Sequence, residues 1–288
     1  MNLSQWLEAH GDDAQFALFA AGFVAFAVLE RALAHRTMPQ ERRTRWPANL
    51  GLTLLNVVAL GLMPASFVGI ARLAEGKDIG LLHSVALAPW LIVVATLLLR
   101  GFVSFITHLL MHKVPLLWRV HRVHHTDTQM DVSTTVRFHP LEFFIGLGIG
   151  LPFVLALGLS PWVLALYELF DIVVTLFSHA NLRLPARFER VLGLFLVTPG
   201  LHRVHHSTHP DETDSNFGAV FPLWDMVFGT YRTTTREESA TMPFGLAEAR
   251  GTRTQSIPWL LAVPFRSDIA DRETEARTLG EHVPAGAP

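Results

Sequence analysis

Apolar stretches long enough to cross a lipid bilayer dominate this chain, and they leave few folds open to it. A spanning helix takes about 20 apolar residues and satisfies its own backbone hydrogen bonds in lipid. Five such stretches stand out, at 15–34, 50–70, 81–99, 141–159 and 162–179. Composition agrees with them. Half of the 288 residues are apolar and 17% are charged, against about 25% charged in an average soluble chain. The expected fold is an all-α integral membrane protein of about five transmembrane helices. Ser160-Pro161 joins the last two stretches in a tight hairpin, and Gly146, Gly148 and Gly150 permit close helix contact.

Charge sets an expected orientation. Arg31, Arg36, Arg42, Arg43 and Arg45 lie between the first two stretches, and only Arg72 and Lys77 between the next two. Excess positive charge stays on the cytoplasmic side. By parity the segments after the third and fifth stretches are then cytoplasmic too, as a helical cap on a multi-pass protein, best suited to a bacterial inner membrane. Residues 1–13 are polar and acidic without a basic leader, so they do not read as a cleaved signal peptide. Arg100 is expected to snorkel to the headgroups. Segments 188–197 and 257–265 are amphipathic and suit the interface; 266–288 reads as a frayed tail. The expected domains are an N-terminal helical region (1–80), a catalytic region (81–235) and a C-terminal extension (236–288). A net charge of −2 argues against a nucleic-acid partner.

The chain has no cysteine and 15 histidines. That excludes disulfides, thiolate metal sites and cysteine nucleophiles. Three histidine groups carry the chemistry. His108-Leu-Leu-Met-His112 puts two imidazoles one helical turn apart. His121-Arg-Val-His124-His125 and His202-Arg-Val-His205-His206 repeat one pattern, filler residues included. Adjacent helical residues diverge by about 100°, so one histidine of each adjacent pair can serve one metal and its neighbour a second. Packed imidazoles without an ion would repel when protonated and cost desolvation when buried. Zinc, copper, iron and nickel all suit imidazole. Eight nitrogens overshoot a four-coordinate structural zinc, and two irons fit a site that activates O2 beside lipid. His10, His35, His83 and His282 read as structural, and His209 stays open.

The three boxes, their order and the spans between them resemble the fatty acid hydroxylase/sterol desaturase superfamily of membrane di-iron oxygenases, over residues 85–235. Val114-Pro-Leu-Leu-Trp118, Asn216-Phe-Gly218 and Trp224-Asp225 to Phe228-Gly-Thr-Tyr231 strengthen the resemblance. It implies O2-dependent hydroxylation or desaturation of a long-chain lipid or sterol. Electrons would come from a separate donor of cytochrome b5, ferredoxin or flavin type. Fatty acyl chains, alkyl-glycerol ethers, aminolipids and sterols are all family substrates, and the short loops disfavour sterols. His108, His112, His121, His124, His125, His202, His205 and His206 match the family's metal ligands. His179, in Ser178-His-Ala-Asn, matches a further ligand, and His139, in Arg137-Phe-His-Pro140, could complete the set or cap a helix. Arg100-Gly101 and Leu109 depart from the family pattern, which has an acid before the first box and an arginine after its first histidine.

Glu168, Asp171, Thr175 and His179 form one polar stripe on the fifth stretch. Acids inside a span are costly and usually functional. Asp171 is expected to accept a ligand's N–H or carry protons; Asp131, Asp214, Asn216 and Asp225 are further candidates for that role. A metal transporter, or a relative that binds metal or lipid without catalysis, are the competing classes. Transporters hold their ligands near the midplane, whereas these boxes flank the spans.

Overall fold

The computed structural model describes residues 2–37, 42–247, 249–267 and 269. His282 and most of the expected tail lie outside them. The described residues are helical, with isolated bridges at Ala34–Leu182 and Ser207–Phe244. Helix α1 (Leu3–Ala32) starts from a capping box made by Asn2 and Gln5, which satisfies two orphan N–H groups. It runs parallel to α7 (Pro161–His179): Gln15 donates to Glu168 at one end, and Ala34 pairs with Leu182 past the other.

The expected second span is two helices, α2 (Arg42–Gly61) and α3 (Phe67–Gly76). Pro64 has no N–H to continue α2, and the Ser66 hydroxyl accepts from Gly69 to start α3. The third begins later than expected. Gly80 sits at φ +113° against Gly158, where a Cβ would come within 2.3 Å of the Gly158 nitrogen. That close approach turns the chain before Pro89 opens α4 (Pro89–Lys113). Among the described residues, four helices are long and apolar enough to span: Ala9–Ala32, α4, α6 (Pro140–Leu157) and α7.

Pro115 ends α4's run and redirects the chain into α5 (Pro115–His125), which carries the second box. Beyond α7 come α8 (Ala186–Leu192), α9 (Pro199–His205) with the third box, α10 (Pro210–Thr213), α11 (Leu223–Phe228), α12 (Arg236–Thr241) and α13 (Ile257–Ala262). Phe188, Val191, Leu194 and Phe195 are exposed around α8. Segment 257–265 differs from its expected interfacial setting. Leu260 and Val263 are fully buried in a cluster with Ala48, Leu52 and Val123, which docks α13 onto α2 and α5. Of the three glycines in α6, only Gly150 meets a neighbour closely, at Phe67. The Gly101 departure also has a reason: a Cβ there would press on Phe221 and Trp224, so the C-terminal aromatics fill that space.

A buried ionic network ties these pieces together. Arg45, 2% exposed, grips Asp127 with two hydrogen bonds of 2.7 Å and reaches Asp131 at 3.0 Å. Arg137 donates to Thr126 at 2.8 Å and to Asn49 at 2.7 Å. Glu30 accepts from the backbone of Val132 and of Asn181, each at 2.7 Å. The ends of α1 and α2 are thus bolted to the segment that follows the second box. Arg45 is a structural ion-pair partner as well as one of the charges that suggested orientation.

Burial alone would raise the Asp127 carboxyl, but Arg45 and Arg137 beside it hold it well below the usual carboxylate range. Breaking such a pair from one side costs about 3–5 kcal/mol. Asp127→Asn is therefore expected to lower the unfolding temperature of the detergent-solubilised protein at pH 7. A depressed folded-state pKa stabilises above the unfolded value of about 3.9. The wild-type advantage should thus hold at neutral pH and fade as pH drops below that value. Equal unfolding temperatures at pH 7 would mean the network does not hold the fold.

Candidate metal centre

Nine imidazoles converge where the C-terminal ends of α4 and α7 meet α5 and α9. His108, His112, His121, His125 and His205 form one group, and His124, His179, His202 and His206 a second; within each, the available ligand nitrogens lie within 4.8 Å of one another. The adjacent pairs His124–His125 and His205–His206 are split between the groups, as divergence around a helix requires. Two spans separate the second box from the third, and the hairpin of α6 and α7 returns the chain to the same end.

Backbone carbonyls set the tautomers. His108 Nδ1 donates to Phe217 O at 2.9 Å, His205 Nδ1 to Ser215 O at 2.8 Å, and His179 Nδ1 to Thr175 O at 2.8 Å. A carbonyl only accepts, so each Nδ1 carries the proton and each Nε2 a lone pair. His121 Nδ1 meets the Glu142 carboxylate at 2.7 Å, which leaves a lone pair on its Nε2 as well. Yet His108 and His121 Nε2 face each other at 3.1 Å, where two lone pairs repel. The single lone pair of His179 Nε2 meets the Nε2 atoms of both His124, at 3.1 Å, and His202, at 2.9 Å, and can accept a proton from only one of them. Two nitrogens held 2.0–2.1 Å from one ion, at angles of 90–109°, would be about 2.8–3.4 Å apart. The buried Nε2 atoms of His125, His205 and His206 also have no hydrogen-bond partner. Burial, reinforced by neighbouring imidazoles, holds His124, His125, His202, His205 and His206 well below the usual histidine range, so they stay neutral. The residues present fit a pair of metal ions.

Several expected roles differ. His139 lies outside both groups: it caps α6, its Nδ1 accepting from Leu141 N at 3.1 Å, while Nε2 sits 3.3 Å from Leu261 O. His209 also lies outside them, at the start of α10. Asp171 reaches no histidine. Its partner is the Thr175 hydroxyl at 3.3 Å, and the Thr175 carbonyl takes the His179 proton instead. Asn216 does not touch a ring either. Its side chain donates to Leu201 O and Arg232 O and accepts from Arg232 N. At φ +52° it turns the chain so that the carbonyls on either side, of Ser215 and Phe217, reach His205 and His108. Asp225 secures the same loop by accepting from Phe217 N and Gly218 N. Asp214 stands 3.4 Å from His112 Nδ1. Glu142 was not anticipated; its one signal was an acid in the first turn of an apolar span.

A cavity of about 830 Å3 opens onto the rings of His108, His121, His124, His179 and His202. It continues between α4, α6 and α7 as far as Asp12 and Arg72. Arg100 does not snorkel outward. It is 8% exposed, lines this cavity and lies over the rings of Phe67 and Tyr167 at 4.7 and 5.1 Å.

This frame of apolar helices with its double histidine group is the architecture of an integral membrane protein with a candidate two-metal site beside an internal cavity. Residues 93–230, just under half of the chain, match the fatty acid hydroxylase family model, so this segment is similar to a fatty acid hydroxylase domain. The chain is 32% identical to alkylglycerol monooxygenase of Danio rerio, over 50% of this chain and 30% of the relative. It is 29% identical to ornithine lipid hydroxylase OlsE of Rhizobium tropici, over 68% and 58%. It is 31% identical to human cholesterol 25-hydroxylase, over 48% and 50%. The alignments thus span between about a third and three fifths of these relatives' lengths. No solved structure matches the chain.

The hydrogen bonds separate two outcomes. Glu142→Ala removes the acceptor that turns His121 and should cost about 10–100-fold in metal affinity. His139→Asn keeps an N-cap acceptor and should retain wild-type metal content. Metal per chain after dialysis against a graded chelator measures both; loss in His139→Asn alone would reverse the assignment.

Proposed function

We propose that this chain is a di-iron membrane oxidoreductase that uses O2 to hydroxylate, or desaturate, a long-chain lipid. Electrons would come from a separate donor protein of cytochrome b5, ferredoxin or flavin type. The observation that carries the reading is the pair of histidine groups whose Nε2 atoms approach one another at 2.9–3.1 Å. The names of the relatives, which hydroxylate or mono-oxygenate lipids, support it. Imidazole suits iron, and sets of five and four nitrogens leave both ions short of six ligands.

Hydroxylation balances as lipid C–H, O2, two electrons and two protons giving the alcohol and water. When bound, the iron pair supplies the O2 reduction and C–H oxidation that side chains cannot perform. The protein's own residues do the rest. His108, His112, His121, His125 and His205 would hold one ion, and His124, His179, His202 and His206 the other. Glu142 and the carbonyls of Thr175, Ser215 and Phe217 fix the rings. The cavity holds the lipid against them and keeps bulk water away from the reacting carbon. We assign the catalytic unit to 81–235, with 1–80 and 236–288 as flanking regions that brace it through Arg45, Arg137 and α13. The histidine end faces the cytoplasm in this reading.

Iron-replete protein is expected to carry about two irons per chain, as a two-metal site requires. His205→Ala should lower that content and abolish reductant-dependent product; full turnover in that variant would refute the ligand assignment. Reporter fusions after residues 37, 130 and 207 should all report cytoplasm, because the histidine end gathers all three. A reporter after residue 130 that reads outside would reverse the orientation.

A further inference from the structure

The histidine boxes at 121–125 and 202–206 repeat more than their ligands. Both read His-Arg-Val-His-His, and the Arg-Val pair offers no ligand to either group. At about 100° per residue, positions 1, 4 and 5 of such a box fall within one arc, and positions 2 and 3 point the opposite way. Arg122 and Arg203 are 0% and 3% exposed, and Val123 and Val204 are fully buried. The outer face of each box is therefore covered, and one stretch of chain covers both.

At the third box, Arg203 Nε donates to the buried Ser239 hydroxyl of α12 at 3.0 Å, and its guanidinium also meets Leu182 O at 3.4 Å and Glu189 at 3.5 Å. Val204 shares a buried cluster with Met242 and Phe244. The chain then crosses behind Trp118, which clusters with Leu246 and Ala249 and sets its ring centre 4.7 Å from that of His112 and 5.3 Å from that of His125. At the second box, Arg122 Nη2 donates to Val263 O at 2.5 Å and to Arg266 O at 3.1 Å, and Val123 clusters with Leu260 and Val263. Residues 236–247 and 249–266 thus form one strap, and it lies beyond residue 230, where the match to the fatty acid hydroxylase model ends.

Packing alone does not ask for arginine at these two places. A buried guanidinium is costly to desolvate, and an apolar side chain of similar volume would cover the same face. Arginine adds direction, because its planar fork of N–H groups locks onto fixed acceptors. Direction matters because each box serves both histidine groups. The second box gives His121 and His125 to one group and His124 to the other; the third gives His205 to the first and His202 and His206 to the second. A turn of either helix about its axis would displace ligands of both ions at once, and a site holds its geometry only within about 0.5 Å.

Resting on the two-metal reading above, we propose that Arg122 and Arg203 are positioning residues of the metal centre, and that the strap is the anchor against which they fix the rotation of the two boxes. The metal pair is then held from outside the matched segment, by one stretch of chain gripped twice by the same two-residue device. Linkage is reciprocal, so ions that order the boxes also order the strap.

Cobalt(II) is the probe, because its visible absorption reports ligand geometry and needs no turnover. Arg122→Met and Arg203→Met keep a long unbranched stem and remove the donors. Each is expected to weaken both cobalt-binding steps of the full-length protein by about ten-fold or more, the scale of one charge-assisted hydrogen bond, and to shift the spectrum of the bound metal. A lowered unfolding temperature with wild-type spectrum and affinity would make the arginines packing residues and overturn the proposal. Should a variant not fold, the wild type decides by itself. Amides at 236–246 and 257–266 should exchange hydrogen about ten-fold more slowly once cobalt is bound; unchanged exchange there overturns the proposal. Reductant-dependent O2 uptake by the iron-loaded wild type keeps the two ideas apart. Slowed exchange without uptake sinks the oxygenase reading alone, and uptake with unchanged exchange sinks the strap alone.

Discussion

Nine imidazoles, eight of them buried, at one end of a helical bundle impose the constraint on which everything else depends. Burial keeps His124, His125, His202, His205 and His206 neutral, and hydrogen bonds on the outer nitrogens of several rings turn their inner nitrogens into the cluster. Such a cluster is unfavourable unless cations sit within it, and costly to assemble unless the surrounding chain is rigid. The rest of the molecule supplies that rigidity. α4 and α7 carry histidines at their inner ends, α5 and α9 lie across them, and the loop at 214–218 closes the side.

The rigidity is layered outward. Closest to the rings are acceptors that cannot rotate away: three backbone carbonyls and the Glu142 carboxylate. Behind them, Asn216 and Asp225 hold the loop that presents two of those carbonyls. Farther out, Arg45, Asp127 and Arg137 lock the segment after the second box to α2. A buried ion pair of this kind is a weak source of net stability but a strong source of unique geometry when every group is satisfied. Here it lets polar chain run close to the metal centre without loosening it.

The cavity joins this centre to the membrane interior, and its two ends differ in chemistry. One end is a wall of imidazole. The other is a belt of carboxylates and guanidinium groups between apolar spans.

Much of this was legible in the chain itself. Apolar length announced the spanning helices, and the repeated His-x-x-His-His announced a double site, because 100° between neighbours cannot aim two rings at one point. The hairpin through Ser160-Pro161 followed from proline and from length. Other features belong to tertiary structure alone. A mean hydropathy over 50–70 hides the break at Pro64. Arg100 reads as a snorkelling side chain until Phe67 and Tyr167 arrive from distant elements to cradle it. Asp171, on the same stripe as His179, looked like its acceptor; the Thr175 carbonyl, invisible to side-chain patterns, is closer. Asn216 looked chemical and proved to be a left-handed turn that aims two carbonyls. Periodicity records which face of a helix a residue occupies, so it determined the helices and the ligand sets they can offer. Which acceptor a ring meets depends on where non-adjacent backbone lies to within an ångström, and only the packed fold decides that.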